Sequence, residues 1–367
     1  MMTIDVETLR AWLEEGRPVS VLDVRPTAER AEWAIPGSIH VDAYDALKAN
    51  DPTALASLEF SGEMPVVTVC GAGKTSLVAA QQLRAQGIEA LSLEGGMKAW
   101  SLAWNTAVVP LPTSTLRMLQ VRRTGKGCLS YLIGDGNTAA VIDASLDPQV
   151  YLNLAHHYGW RIEFVLDTHI HADHLSRSRQ LAQLSGAALF LPEQTRVSFP
   201  FTPIHDGDTL EIGSATLAAL RTPGHTPEST CYLLGQHVLL TGDTLFPTGV
   251  GRPDLAAGAD EVRRRASDLY SSLRTLLALP PETLVLPGHT STPIMFDGNP
   301  IAATLAGIQE QVGVIHATRE VFIEQILARI PPTPPNYERI TRLNETGVLP
   351  ERDVTELEAG ANRCAIS

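Results

Sequence analysis

The chain is short of several things, and each shortage removes a class of explanation. Only four cysteines occur in 367 residues: Cys70, Cys128, Cys231 and Cys364, all far apart. So few, so spaced, they do not form a disulfide framework. They suggest a reducing, cytoplasmic setting in which each thiol is either packed in a core or reactive. No apolar run approaches the roughly 20 residues of a membrane span, so no membrane association is expected. Met1 to Glu7 has no basic segment leading into an apolar one, so no secretory leader is read there. Basic residues are outnumbered, 28 Lys and Arg against 41 Asp and Glu, and the acidic ones are not gathered into a tail. That balance favours solubility and argues against nucleic acid as a main partner. A hydrophobic content of 44% is ample for packed cores, and the length predicts two domains.

The densest chemistry lies in Thr168-His169-Ile170-His171-Ala172-Asp173-His174. It follows the apolar run Phe164-Val165-Leu166, which reads as a buried strand. In an extended segment alternate side chains share a side, so His169 and His171 are expected to converge on one point. Asp173 and His174 fall where the chain would turn into a helix beginning near Leu175. Imidazole and carboxylate are ligand types for zinc, iron and related metals, and four of them in this order point to a metal rather than to a solvated loop.

The first hundred residues alternate strand and helix patterns. Strands are predicted at 19–24, 66–69 and 90–93, with a helix from Thr75 to Gln86 stopped by Gly87. This is βαβ logic and implies a mostly parallel sheet. Cys70 ends the middle strand and precedes Gly71-Ala72-Gly73-Lys74-Thr75-Ser76. The glycines let several backbone N–H groups face one point, and the following helix presents its positive end there. A thiol so placed should ionise more easily and hold a persulfide; the alternative is a buried structural cysteine. Gly73-Lys74-Thr75 also matches the end of a nucleotide P-loop, but Thr68 stands where that motif opens with glycine.

These pieces resemble a rhodanese domain. The match rests on Leu22-Asp23-Val24-Arg25, on Ile35-Pro36-Gly37-Ser38-Ile39-His40-Val41, on the Cys70–Ser76 loop, and on Leu93-Glu94-Gly95-Gly96-Met97-Lys98-Ala99-Trp100. The resemblance implies that Cys70 accepts and passes on a sulfane sulfur. Trp33-Ala34 departs from it, standing where a Gly-His pair is common.

The domains are expected at 1–106 and 115–300, with a proline-bearing linker at 107–114 and a helical C-terminal extension at 301–367. A hairpin is predicted around Gly134-Asp135-Gly136-Asn137. Helices are predicted over 149–157 and from Leu175 to Ser185. Three further ligand-type residues follow strands or Gly-Pro turns: His225, Asp243 and His289. Each alone could serve a turn; together with the first stretch they are far from accidental. His156, His157, His205, His237 and His316 lack such a context and read as structural or surface residues.

This order of motifs resembles the metallo-β-lactamase fold, an αββα sandwich with its metal site at one edge of two packed sheets. The whole chain is thus expected to be a two-domain α/β protein. Two branches of that fold compete. Ligand counting suits a dinuclear zinc thioester hydrolase of the hydroxyacylglutathione hydrolase kind. The segments Pro223 to Ser229, Gly242 to Phe246 and Gly251 to Leu255 instead resemble the persulfide dioxygenases. That resemblance implies one Fe(II) per chain held by His169, His225 and Asp243. It leaves His171, Asp173, His174 and His289 to orient ligands and waters, or to bind a second metal if the zinc reading holds. Its substrates would be a low-molecular-weight thiol persulfide and O₂, and its product sulfite. Arg252 is a candidate partner for a substrate carboxylate, or else a structural ion pair. The sulfur-handling first domain favours the dioxygenase branch, an argument from shared chemistry. Apolar residues recur at helical spacing from Ile301 to Ile330, before a Pro331–Pro335 break. The tail could wall the thiol pocket or form a homodimer interface. Cys364 within it reads as incidental, since nothing near it in sequence would activate a thiolate.

Overall fold

A computed structural model describes residues 2–60, 64–111, 115–350, 354–358 and 362–366. The first domain is built on a five-stranded sheet in the order Thr3–Ile4, Ala90–Leu93, Val66–Val69, Ser20–Asp23, Ile39–His40, with every pairing parallel. The expected helix forms as Lys74–Ala85 and turns Ala79, Ala80 and Leu83 inward, one side of a helical repeat. These side chains pack with Leu22, Val66 and Ala90 of the sheet.

The second domain stacks two sheets. One runs Thr202–Ile204, Ala188–Pro192, Arg161–Leu166, Thr138–Ile142, Cys128–Asp135, Arg117–Arg123, Asn105–Val109. The other runs Thr209–Ile212, Ala215–Arg221, Thr230–Leu234, Val238–Gly242, Leu284–Pro287, Ala303–Thr304. Their inner faces meet in a core that includes Tyr131, Ile133, Ile142, Leu166, Leu217, Tyr232, Leu240 and Leu286. Helices Pro148–His157 and Ser178–Ser185 cover the outside of the first sheet. Ala259–Leu276 covers the second, burying Val262, Ala266, Leu269, Leu273 and Leu276 at steps of three and four. The result is the two-domain α/β layout with an αββα sandwich. No described helix is long and apolar enough to cross a membrane.

Three expectations are corrected here. Residues 105–109 are not linker. They form the edge strand Asn105–Val109, antiparallel to Arg117–Arg123, because the exposed edge supplies hydrogen-bond partners that the sequence alone does not reveal. Pro112 and Thr113 lie outside the described residues. The helix expected from Leu175 begins at Ser178. Before it, the Leu175 N–H donates to Glu358 (2.7 Å) and the Ser176 N–H to Asn344 (2.9 Å), bonds that compete with a helical turn. Finally, the C-terminal extension is helical over Leu305–Gln311, Arg319–Ala328 and Tyr337–Thr346, yet Ala303–Thr304 and Ala365–Ile366 are strands completing sheets.

The domains meet around the turn after Arg117–Arg123. Trp33, the departure in the first-domain motif, donates its indole N–H to the Thr124 carbonyl at 3.0 Å. Arg123 donates Nε–H to Ser101 O (2.6 Å) and Nη2–H to the buried Glu358 carboxylate (2.7 Å). Burial opposes ionisation of Glu358, and Arg123 followed by Arg177 overcomes it, so its carboxyl stays below the ordinary range. A depressed acid contributes stability above its unfolded-state pKa, and that contribution fades as pH falls through the folded value. Arg123→Ala, which strands the Glu358 charge, is expected to destabilise the fold by about 3–5 kcal/mol in urea unfolding at pH 7. That loss should shrink below about pH 4, near the ordinary glutamate pKa.

Candidate metal centre and persulfide loop

Asp243 sits just past the strand Val238–Gly242, where Gly242 adopts φ +49°. A side chain on Gly242 would lie 2.5 Å from Thr168 Oγ1, so glycine lets the two metal-bearing loops touch. Around Asp243 the fold gathers two histidines. His225 Nε2 lies 3.6 Å and His169 Nε2 3.9 Å from Asp243 Oδ2. All three residues are buried.

Their remaining atoms are tied down. His225 donates Nδ1–H to the Arg252 carbonyl at 2.8 Å. His169 Nδ1 lies 2.9 Å from Thr168 Oγ1, which in turn donates to Asp143 Oδ2 at 2.9 Å. These partners fix each ring's tautomer so that Nε2 is the free acceptor. His169 Nε2 and Asp243 Oδ2 have no hydrogen-bond partner although buried. Orphaned polar atoms converging on one point are costly unless something binds there. The residues therefore fit a metal ion, and two imidazoles with one carboxylate are a ligand set for zinc or non-haem iron. Burial pushes His169 well below the ordinary histidine range and His225 below it, favouring the neutral, ligating form. Burial also opposes the Asp243 charge, but His289 and then His169 and His225 outweigh it and hold the carboxyl far down.

The other four candidates do not join this point equally. His171, expected to converge with His169, stacks beside it with ring centroids 4.3 Å apart but turns Nε2 to Asp143 Oδ1 at 3.1 Å. The loop from Thr168 onward is irregular rather than extended, so strand alternation does not apply. Asp143 itself has φ +56° and takes the Thr168 N–H at 2.7 Å, anchoring the loop from below. His289 faces carboxylates from both ring nitrogens: Nδ1 is 2.5 Å from Asp243 Oδ1 and Nε2 is 2.7 Å from Asp173 Oδ2. His174 Nδ1 lies 3.1 Å from Asp173 Oδ1.

Two cysteines missed as site residues appear here. Cys128 falls with Asp173, His174 and His289 in a buried group whose donor atoms lie within 4.8 Å of one another. Burial would raise its thiol, but the His174 charge overrides this and brings it to about 6. Cys364 falls within the same distance of Asp243 and His289, so it is not an incidental tail residue. The antiparallel pairing of Ala365–Ile366 with Gly249–Gly251 carries it there, a long-range contact with no local signal. Arg252 is corrected as well. Its guanidinium is fully buried, pairs with Asp254 at 2.7 Å and donates to the carbonyls of Pro331, Pro332 and Arg363. With those donors engaged it braces the tail and does not offer itself to a substrate.

In the first domain Cys70 is buried at the end of its strand. The Gly73 N–H points at its sulfur (3.2 Å), and Ser76 Oγ lies 3.3 Å from it. Lys74 is exposed at the start of the following helix, whose first turn also holds Thr75. Gly71 and Ala72 complete the loop. A Cβ on Gly96 would stand 2.2 Å from the Cys70 carbonyl oxygen, which accepts the Met97 N–H at 2.8 Å. The Gly95-Gly96 pair thus lets a second helix press against the loop.

A family model described as the metallo-beta-lactamase superfamily matches residues 123–289, and one for the rhodanese-like domain matches residues 5–103. The chain joins a rhodanese-like domain to a metallo-β-lactamase domain. Curated relatives include the hydroxyacylglutathione hydrolases of Rhizobium johnstonii, 34% identical over 166 residues, and Methylobacillus flagellatus, 35% identical over 164 residues. Each match covers 44% of this chain and 61% or 62% of the relative, so the chain spans about six-tenths of their length. Among solved structures, ETHE1 from Myxococcus xanthus aligns at 29% identity and TM-score 0.53, covering 66% of this chain and 99% of that one. A metallo-β-lactamase from Staphylococcus aureus aligns at 26% identity and TM-score 0.59, covering 64% and 74%. The metallo-β-lactamase domain is of the glyoxalase II-like superfamily and carries a metal-binding His/Asp centre. Asp243→Ala is expected to strip the protein of bound metal in elemental analysis while leaving its far-ultraviolet circular dichroism unchanged.

Proposed function

We propose that the protein is a persulfide dioxygenase that oxidises a low-molecular-weight thiol persulfide, such as glutathione persulfide, to sulfite and thiol. Dioxygen and water supply the oxygens, and Cys70 carries sulfane sulfur in the rhodanese-like domain. One observation carries this reading. His169, His225 and Asp243 turn donor atoms to a common point, whereas His289 stands between Asp243 and Asp173 with a carboxylate oxygen at each ring nitrogen. That arrangement favours a single metal on two histidines and one carboxylate, with positions left open. Fe(II) held there would supply the one-electron chemistry that dioxygen requires.

The chain's own groups do the rest. The Arg252 carbonyl and the Thr168–Asp143 pair hold the two imidazoles in register. His289 occupies Asp243 Oδ1 and leaves Oδ2 directed at the metal point. Beside the site lies a cavity of about 200 Å³ lined by Phe246, Thr248, His289, Thr290 and Cys364, among others, which gives a persulfide a way in. The likeness to ETHE1 along nearly all of that chain's length, and the fused sulfur-handling domain, support the same reading.

A second reading, a dinuclear zinc hydrolase of glutathione thioesters, has its own support. His174 Nε2 is buried without a partner among Cys128, Asp173 and His289, and hydroxyacylglutathione hydrolases are among the relatives. Protein purified without oxygen should hold about one iron per chain, the stoichiometry of a single open ligand set. It should consume O₂ with glutathione persulfide and leave hydroxyacylglutathione thioesters intact. Stoichiometric zinc with thioester turnover and no O₂ uptake sinks the dioxygenase reading. Cys70→Ser should abolish thiosulfate:cyanide sulfur transfer and keep O₂ uptake, and Asp243→Ala should do the reverse. Unchanged transfer in Cys70→Ser would mean that Cys70 is only structural.

A further inference from the structure

The cavity over Cys70 is not built by the rhodanese-like domain alone. Its volume is about 390 Å³, and its walls include Gly125 and Lys126 of the metallo-β-lactamase domain and Thr355 and Glu358 of the C-terminal segment. Cys70 is 1% exposed, so a reactant reaches its sulfur only by entering this space. The volume falls in the range of organic ligand sites, roughly 300–1,000 Å³. It far exceeds what cyanide or thiosulfate would fill.

The charges on the wall are of both signs. Glu29 and Glu32 stand exposed on one side, and Lys74 and Lys98 on the other. Glu29 reaches the persulfide loop itself: a Cβ built on Gly71 would lie 3.8 Å from Glu29 Oε2. A carboxylate there repels an inorganic dianion and attracts an ammonium group. Lys74 has no ion partner among the described residues, and Lys98 pairs only with the exposed Glu356. Both ammonium groups are therefore open to a carboxylate.

We propose that this interdomain cavity binds a zwitterionic low-molecular-weight thiol, its ammonium toward Glu29 and its carboxylate toward Lys74 and Lys98, as the organic partner of Cys70. The proposal deepens the function above and rests on Cys70 carrying sulfane sulfur, not on the metal. In the forward direction the Cys70 thiolate attacks the sulfane sulfur of a donor such as thiosulfate, and sulfite leaves. The bound thiol, having lost its proton to solvent, attacks the outer sulfur of the Cys70 persulfide. The bond between that sulfur and Cys70 Sγ breaks, Cys70 departs as thiolate, and an organic persulfide is released. The sulfane sulfur keeps its oxidation level, so no outside oxidant is needed.

The test uses the full chain without oxygen, so that metal chemistry does not contribute. Cys70 is loaded with thiosulfate, the excess is removed, and single-turnover transfer is followed at equal thiolate concentration. The acceptors are glutathione, 3-mercaptopropionate, cysteamine and 2-mercaptoethanol. Glutathione should saturate and should outpace each of the others by about fivefold or more, the scale of an added charge pair. Glu29→Gln should shrink its advantage over 3-mercaptopropionate. Thr355→Trp, which fills the cavity from the tail side, should weaken glutathione saturation more than it slows 2-mercaptoethanol. Equal rates for all four thiols, or a preference untouched by both substitutions, overturns the proposal and leaves the dioxygenase reading standing. Failure of Cys70 to load at all overturns the sulfur-carrier reading and the proposal with it.

Discussion

A buried charge must be given partners, and much of the second domain is arranged around that requirement at Asp243. Its carboxylate lies in the sandwich's edge with His289 at 2.5 Å on one oxygen and two imidazoles facing the other. An isolated carboxylate there would be very costly. Each partner is therefore itself held by a further group: His289 by Asp173, His169 through Thr168 to Asp143, His225 by a backbone carbonyl. Such linked polar groups are stable only when nearly all are satisfied. The two left open, His169 Nε2 and Asp243 Oδ2, mark where a cation belongs.

The C-terminal segment is bound into both sites by the same logic. Glu358 accepts from Arg123 and from the Leu175 N–H just after the metal loop, and its carbonyl accepts from Lys126 at 2.8 Å. It also lines the Cys70 cavity. Asn344 donates to the carbonyls of His171 and His174, closing the loop from the other side. Arg252 spends its donors on the tail's carbonyls, which brings Cys364 to the metal centre. A segment that reads as an appendage in one dimension is a wall of two cavities in three.

Local patterns were legible where a short stretch decides the outcome. The strands at 66–69 and 90–93 and the helix after Cys70 follow from apolar periodicity and a glycine stop. The Gly134–Asn137 turn joins the antiparallel strands Cys128–Asp135 and Thr138–Ile142 as expected. The long helix Ala259–Leu276 went unremarked, although its buried positions recur at helical spacing, because charged residues interrupt the apolar ones. The edge strand Asn105–Val109 was mistaken for linker because an edge strand needs a neighbour more than a strong pattern of its own.

The sequence by itself determined that a metal-ligand stretch, three later ligand candidates and a cysteine loop exist, because each is a run of a few residues whose chemistry is fixed by type and spacing. Only the tertiary structure decided how they divide. It separated His169 from His171, its neighbour two residues along, since ring direction depends on which acceptor the fold brings near, Asp243 for one and Asp143 for the other. It brought Cys128 and Cys364 to the centre and withdrew Arg252 from it, since contacts between residues more than a hundred positions apart leave no trace in local spacing.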